Sequence, residues 1–259
     1  MKINQAFAIL QKSGGIRAAR IITENTQNLS WARVHFMAYQ LRRSVPVAKI
    51  IHQKWFYGLK FYTNKYTLDP RPDTETLVCA VISDCDKNKK TTILDLGTGT
   101  GCIICSLVKN IPNTTGVAVD ISRRALRVAK RNIETLGLID KIQTIRTSFA
   151  KPYNFGKRFD IIVSNPPYIA HNDDRVDDGA MHDPKRALYA DKNGLAAYEQ
   201  IAKNAKKWIK NGGKLYLEIG IDQGNDIKNI FYNNNWKFIS AQNDLSGTER
   251  VLIFKREKQ

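Results

Sequence analysis

The chain has 259 residues, of which 42% are hydrophobic and 25% charged, a composition typical of a globular protein with one large and one small domain. No apolar stretch reaches the roughly 18 residues of a membrane-spanning helix, and the N-terminus lacks a signal-peptide core, so no membrane association and a cytoplasmic location are expected. The formal net charge is +17, and residues 1–60 hold ten Lys and Arg against one acid, Glu24, which gives +9. This basic end favours acidic partners, either nucleic acid or protein, although a solvated basic surface fits equally well.

The sequence of the first third of the chain predicts short secondary-structure elements. Residues 1–50 show apolar positions at helical spacing and predict short helices, broken at Gly14 and Gly15. The aromatic-rich segment 55–67 predicts a β-hairpin. Residues 69–72, Asp-Pro-Arg-Pro, cannot be helical, because each proline restricts the residue before it. A helix is predicted to begin at Asp73, with acidic residues in its first turn.

From residue 92 onward, strand patterns alternate with helix patterns. The predicted strands cover residues 93–96, 116–119, 141–145, 159–163, 213–219, 236–241 and 250–255, and the predicted helices between them run to about residue 110 and cover 122–135, 195–210 and 222–234. This alternation predicts an α/β fold with a mainly parallel, doubly wound, seven-stranded sheet. The predicted domains are therefore a basic helical domain at 1–50, a hairpin and proline-rich linker at 51–75, and the α/β domain at 76–259.

Two of the four cysteines form a Cys-x-x-Cys motif, Cys102 and Cys105. Redox or zinc chemistry needs an exposed thiolate or a second pair of ligands. The motif lies in an apolar run, which favours buried structural cysteines, and no metal site is predicted.

A glycine-rich loop, Gly97-Thr98-Gly99-Thr100-Gly101, follows the first strand of the α/β region. A glycine turn between a strand and a helix exposes backbone N–H groups to a ligand. A dinucleotide fingerprint would place its third glycine at position 102, which is cysteine here. Asp120 follows the second strand, where a carboxylate can accept hydrogen bonds from ribose hydroxyls, of NAD as well as of other nucleosides. A glycine turn without a ligand is the remaining alternative.

The motif Asn165-Pro166-Pro167-Tyr168 directly follows the fourth strand, at the sheet edge where doubly wound folds bind ligands. Asn165 offers a side-chain carbonyl and Pro166 a rigid backbone carbonyl, and two acceptors match the two N–H donors of a planar NH₂ group. Tyr168 offers a ring face for stacking. Such an arrangement directs a nitrogen lone pair at an electrophile and requires no strong general base. A simple strand-ending turn is the alternative.

Together these motifs resemble class I S-adenosylmethionine-dependent methyltransferases, and the chain from about residue 40 onward resembles the release factor glutamine methyltransferases (PrmC/HemK family). Further segments carry this resemblance: Pro46-Val47-Ala48, Phe56-Tyr57-Gly58-Leu59, Pro70-Arg71-Pro72-Asp73-Thr74-Glu75, Asp183-Pro184, Glu218-Ile219-Gly220 and Asp244-Leu245-Ser246-Gly247. Asp73 replaces the family's glutamate, and residues 1–45 match the family poorly.

The resemblance implies a Rossmann-like methyltransferase that transfers a methyl group from S-adenosylmethionine, leaving S-adenosylhomocysteine. The implied substrate is the side-chain amide (N5) of the Gly-Gly-Gln glutamine in class 1 peptide chain release factors. Asn165, Pro166, Pro167 and Tyr168 would be the catalytic and substrate-binding residues. The implied cofactor-binding residues are Gly97, Thr98, Gly99, Thr100, Gly101, Asp120, Phe149 and Asn165. Arg71 is assigned either to cofactor or substrate contact or to a structural ion pair.

Two other functions remain open from the sequence. A nucleic-acid adenine-N6 methyltransferase would share the Asn-Pro-Pro-Tyr motif and suit the +17 charge. However, no separate target-recognition domain follows the catalytic one, so nucleic acid is not the expected substrate. A NAD-dependent enzyme or a non-enzymatic cofactor-binding module is disfavoured by Cys102 and by the intact motif.

Overall fold

The protein was analysed as a computed structural model that describes residues 1–173 and 179–256. The helices are α1 (Ile3–Asn25), α2 (Trp31–Arg42), α3 (Val47–Ile51), α4 (Glu75–Asp84), α5 (Cys102–Asn110), α6 (Arg123–Thr135), α7 (Lys185–Leu188), α8 (Ala196–Asn204) and α9 (Gly224–Asn233). The strands are β1 (Gln53–Phe56), β2 (Leu59–Tyr62), β3 (Thr91–Leu96), β4 (Thr114–Asp120), β5 (Ile142–Arg146), β6 (Phe159–Ser164), β7 (Ile209–Glu218), β8 (Lys237–Asn243) and β9 (Glu249–Lys255).

The N-terminal helices α1–α3 share an apolar core of their own. Leu10, Ile22 and Val34 are fully buried in it. The break predicted at Gly14 and Gly15 is present, because Gly15 adopts φ 83° and kinks α1 into two helical pieces. The division of the chain into three domains stays a prediction.

The hairpin β1–β2 is antiparallel, as predicted, with its turn at Tyr57 and Gly58. Asn132 of α6 attaches it to the rest of the protein. The Asn132 Oδ1 atom accepts a hydrogen bond from the Tyr62 backbone N–H at 2.7 Å, and its Nδ2 donates to the Tyr62 and Thr100 carbonyls. The hairpin therefore contacts the loop that follows β3.

Within the described residues, seven strands form one sheet in the order β5-β4-β3-β6-β7-β9-β8, and only the pairings of β9 are antiparallel. The predicted mainly parallel seven-stranded sheet is confirmed. The chain proceeds outward from β3 to β4 and β5 and then returns to place β6 on the other side of β3. The carboxyl ends of β3 and β6 therefore flank the topological switch point, where doubly wound sheets bind ligands.

Helices cover both faces of the sheet. Ile93 of β3 packs in the cluster that contains α4 and α5, whereas Leu94 and Leu96 pack in the opposite cluster with α8 and α9. This alternation is the two-residue period of a strand buried on both sides. Among the described residues, no helix is both long and apolar enough to cross a bilayer.

The helix predicted at 195–210 is wrong at its C-terminal end. The helix α8 ends at Asn204, and β7 already begins at Ile209. Trp208 and Ile209 are both buried, and the Phe159 N–H donates to the Trp208 carbonyl at 2.7 Å. Burial against β6 therefore overrides the helical propensity of the local sequence.

Candidate active site

A cavity of about 550 Å³ opens at the switch point, beyond the carboxyl ends of β3, β4 and β6. The residues predicted from sequence that line it are Gly97, Thr98, Gly99, Thr100, Asp120, Phe149, Asn165 and Pro167. Gly101, Pro166 and Tyr168 lie next to these residues but are not part of the lining. One cavity thus brings the glycine loop and the Asn-Pro-Pro-Tyr motif together.

The glycine loop folds back on the end of β4. The backbone N–H groups of Gly97 and Thr98 both donate to the Val119 carbonyl, at 2.9 and 2.8 Å. Gly99 has φ 56° and Gly101 has φ 79°, a left-handed conformation that residues with a Cβ rarely adopt. These glycines are therefore required by the loop conformation that brings backbone onto the cavity wall.

Asp120 is positioned by two backbone hydrogen bonds. Its Oδ2 accepts from the Gly99 N–H at 3.1 Å and its Oδ1 from the Ser122 N–H at 2.8 Å. Burial raises the pKa of Asp120, and these two bonds oppose the shift. A carboxylate has about four acceptor sites, so two remain for the hydroxyls of a bound nucleoside. Asp120 therefore has free acceptor sites on the cavity wall that fit the hydroxyls of an S-adenosyl cofactor, and the Phe149 ring lies beside Gly97.

Asp95 and the two motif cysteines lie beneath the glycine loop. Asp95 is fully buried, and its Oδ2 accepts from the Thr98 hydroxyl at 2.6 Å, while its Oδ1 has no hydrogen-bond partner among the described residues. Burial raises the pKa of Asp95 to about 7. Cys102 and Cys105 are buried as predicted, and burial raises the pKa of Cys102 to about 12. Both thiols are therefore protonated packing groups in this structure.

Asn165 forms part of the cavity wall at the end of β6. Its Nδ2 donates a hydrogen bond to the Thr74 Oγ1 at 3.1 Å, across 91 residues of sequence. Pro167 also lines the cavity, whereas Pro166 is buried behind it.

Tyr168 is held at both its backbone and its side chain. Its carbonyl accepts from the Gln223 Nε2 at 2.9 Å, and its hydroxyl donates to the Glu218 Oε1 at 3.5 Å. A Cβ at Gly194 would lie 2.0 Å from the Tyr168 carbonyl oxygen, so this position admits only glycine. Tyr168, the residue after the two prolines, is therefore held by contacts with three separate segments of the chain.

A buried ion-pair network connects α3 to the cavity rim. The Lys49 Nζ lies 2.9 Å from the Asp69 Oδ1 and 2.7 Å from the Asp183 Oδ1, and the side chain of Lys49 is only 5% exposed. The Arg71 Nη2 pairs with the other oxygen of Asp183 at 2.9 Å. Arg71 therefore makes the structural ion pair, and it also lines the cavity.

Sequence reasoning missed the roles of Thr74, Glu218 and Lys49. Thr74 and Glu218 had appeared only as members of family-like segments, and Lys49 only as one of many N-terminal cations. Their contacts join segments far apart in the chain, which residue spacing does not report. Among the described residues, no cluster of three or more His, Cys, Asp or Glu side chains could hold a metal ion.

Comparisons with known proteins agree with this geometry. The Methyltransferase small domain family matches residues 73–191. The release factor glutamine methyltransferase of Agrobacterium fabrum is 38% identical over 231 residues, which cover 87% of this chain and 79% of that protein. The bifunctional methyltransferase of Rickettsia typhi is 36% identical over 96% of this chain. The chain spans about half the length of that protein, 52%.

Among solved structures, a methyltransferase from Pyrococcus furiosus shares the fold, with a TM-score of 0.57 at 17% identity over 88% of this chain and 98% of that one. The fold and these relatives together define a Rossmann-like methyltransferase. Within that class, the chain belongs to the release factor glutamine methyltransferase family.

Proposed function

We propose that this protein transfers a methyl group from S-adenosylmethionine to the side-chain amide nitrogen of the glutamine in the Gly-Gly-Gln motif of class 1 peptide chain release factors. The observation that carries the proposal is the shared cavity. Asp120 and the glycine loop line the same space as Asn165 and Pro167, so a nucleoside cofactor and an amide can meet there.

The residues of the Asn-Pro-Pro-Tyr motif provide the chemistry for an amide substrate. A glutamine amide presents two N–H donors, which the Asn165 Oδ1 and the Pro166 carbonyl can accept. Held in this way, the nitrogen faces the cofactor with its lone pair directed along the line of transfer. The bound cofactor supplies an electrophilic methyl group on a positively charged sulfur.

Positive charge develops on the amide nitrogen during transfer, and its N–H groups become stronger donors. The two acceptors therefore bind the transition state more tightly than the ground state, which is the condition for catalysis. Two acceptors, rather than a base, select an NH₂ group. As the new N–C bond forms, the bond from the methyl carbon to sulfur breaks, and the nitrogen afterwards releases one proton to solvent. We propose Asn165, Pro166, Pro167 and Tyr168 as substrate-holding residues. The proposed cofactor contacts are Gly97, Thr98, Gly99, Thr100, Gly101, Asp120, Phe149 and Asn165.

The test is a mass spectrum of purified release factor after incubation with this protein and S-adenosylmethionine. A gain of one methyl group on the loop glutamine is expected, and none on a release factor whose loop glutamine is alanine. Undiminished methylation of that alanine variant would contradict the proposal.

The same preparation should be incubated with duplex DNA and with ribosomal RNA. We propose that neither is a substrate, so methylation of either at a rate similar to that of the release factor would favour the nucleic-acid alternative. Because release factors act on ribosomes, we propose a cytoplasmic site of action.

A further inference from the structure

Thr74 occupies an unusual position for its residue type. It precedes α4, where a threonine hydroxyl ordinarily caps the helix by accepting a backbone N–H. The Thr74 side chain makes no capping bond and instead accepts from the Asn165 Nδ2 at 3.1 Å. Thr74 is 2% exposed and also lies on the cavity wall. A residue that would stabilise its own helix is thus turned toward the Asn-Pro-Pro-Tyr motif.

The hydrogen bond determines which end of the Asn165 side chain meets a substrate. An amide carries its oxygen and nitrogen on opposite sides of the same carbon, so fixing Nδ2 on Thr74 directs Oδ1 away from Thr74. A flipped amide would present N–H donors to the N–H donors of a glutamine, and the substrate would lose an acceptor. Orientation of this one group therefore controls whether the site can hold an NH₂.

Glu218, the last residue of β7, lies behind both Thr74 and Tyr168. It is 1% exposed, its Oε1 accepts from the Tyr168 hydroxyl at 3.5 Å, and its Oε2 has no hydrogen-bond partner among the described residues. Burial raises the pKa of Glu218 to about 7, and the hydroxyl of Thr74 opposes that shift by hydrogen bonding. A fully buried carboxyl is costly to the fold, so its retention behind the motif calls for a functional reason.

We propose that Thr74 and Glu218 are positioning residues for methyl transfer. Thr74 holds the Asn165 amide with its oxygen toward the substrate, and Glu218 anchors both the Thr74 hydroxyl and the Tyr168 phenol. This inference rests on the proposed function and extends it to residues outside the motif. One carboxyl group would then align both ends of the Asn-Pro-Pro-Tyr segment.

The first test compares Thr74→Ser with Thr74→Val. Serine keeps the hydroxyl and loses a buried methyl, whereas valine keeps the volume and loses the hydroxyl. If Thr74 positions the Asn165 amide, kcat should fall roughly ten- to a hundredfold in the valine variant and only a few-fold in the serine variant. This is the loss expected for one misplaced polar contact in a reacting site. Urea unfolding measures what each variant costs the fold: a small cavity for serine, and lost hydrogen bonds to Asn165 and Glu218 for valine.

The two variants separate positioning from packing, because serine changes the side-chain volume and valine removes the hydroxyl. If Thr74 only fills space, the valine variant should be at least as active as the serine variant, which would overturn the inference. Thr135→Val is the matched control, since that hydroxyl bonds within α6 to the Arg131 carbonyl, away from the site. Calorimetry with a Gly-Gly-Gln peptide and S-adenosylhomocysteine measures substrate binding independently of turnover, and weaker peptide binding is expected for valine than for serine.

The second test is the pH profile of kcat for wild type and Glu218→Gln. The groups that face Glu218 are Tyr168 after β6, Arg250 of β9, Asp73 and Thr74 before α4, and Tyr198 of α8. Wild-type kcat should fall as pH drops through about 7, because Glu218 becomes protonated and its charge-assisted bonds weaken. The glutamine variant should lack this step and be about five- to tenfold slower at pH 8, as a charged acceptor becomes neutral. Identical profiles would remove Glu218 from the inference.

Methylation of the release factor by the wild-type protein shows whether the proposed function or only the positioning role is wrong. If wild type leaves the glutamine unmodified, the proposed function itself fails. If wild type methylates it and Thr74→Val is equally fast, only the positioning role is wrong.

Discussion

Asn165 combines a defined chemical role with a defined contact, since its Nδ2 is bound to Thr74 on the wall of the cavity. We predict that Asn165→Ala lowers kcat by roughly two to three orders of magnitude, because one positioned acceptor for the developing charge is lost. Affinity for S-adenosylhomocysteine, measured by calorimetry, should fall much less than kcat, because Asn165 is only one of eight proposed cofactor contacts. Asn233→Ala, at the exposed end of α9, is the control. An equal loss of cofactor affinity and rate would make cofactor binding the main role of Asn165.

Substitution of Asp120 is predicted to change cofactor affinity more than kcat. Its carboxylate has two acceptor sites left after binding the Gly99 and Ser122 N–H groups. Asp120→Ala should weaken cofactor binding roughly ten- to a few-hundredfold, as expected for the loss of hydrogen bonds to a charged acceptor, while kcat at saturating cofactor falls much less. Calorimetry measures the affinity, and the exposed Asp140→Ala serves as the control. Unchanged affinity would place the ribose contact elsewhere.

The residues that could be predicted are those in contiguous motifs at strand ends. The glycine loop, Asp120 and Asn165 follow three different strands, and a parallel sheet brings such ends together whatever the details of packing. Thr74 and Glu218 could not be predicted in the same way. Their roles depend on contacts with Asn165 and Tyr168 that are 91 and 50 residues distant in sequence, and a buried threonine or glutamate carries no pattern of its own.

At the scale of elements, the Lys49 network joins helix α3, the proline-rich segment and the region before α7. Lys49→Met should destabilise the protein by about 3–5 kcal/mol, because it leaves the buried Asp69 carboxylate without a cation and leaves Asp183 with Arg71 alone. Urea unfolding measures this change. The exposed Lys12→Met should be nearly neutral.

A second substitution tests the reason for that loss. Adding Asp69→Asn to the Lys49→Met variant should recover part of the stability, because a neutral amide is cheaper to bury than a carboxylate that has lost its cation. If the double variant is less stable than the single one, the cost would arise from lost packing of the lysine stem rather than from charge.

Periodicity predicted the order and type of the elements in the α/β region, because most strands there are buried and most helices amphipathic. It failed near residue 208, because α8 is followed by a short 3₁₀ helix, Ala205–Lys207, and then by the start of β7 at Ile209. The burial of Trp208 and Ile209 against Phe159 decides that boundary, and this burial depends on where β6 lies in the sheet.

At the scale of the whole molecule, two buried acids make stability depend on pH. Glu218 has an ordinary pKa of 4.5 that burial raises to about 7 in the folded state. Between these values the folded protein binds more protons than the unfolded chain, so the free energy of unfolding falls as pH rises and levels off above pH 7. Asp95 acts in the same direction.

We therefore predict that wild type loses stability between pH 5 and about pH 7.5, as measured by urea unfolding. Because burial raises the pKa of Glu218 from 4.5 to about 7, this carboxyl accounts for about 2–3 kcal/mol of that loss, and Glu218→Gln should lose that much less over the same interval. A wild-type protein whose stability rises with pH in this range would show that the carboxyl is ionised in the fold.

The position of β9 has a consequence for how the molecule assembles. This strand follows all the others in the chain, yet it lies between β7 and β8, and its residues from Val251 to Phe254 are buried. During synthesis, β8 therefore has no neighbour in the sheet until residues 249–255 have left the ribosome. A nascent chain halted before Glu249 would therefore leave the edges of β7 and β8 that pair with β9 open, and unpaired strand edges are prone to aggregation.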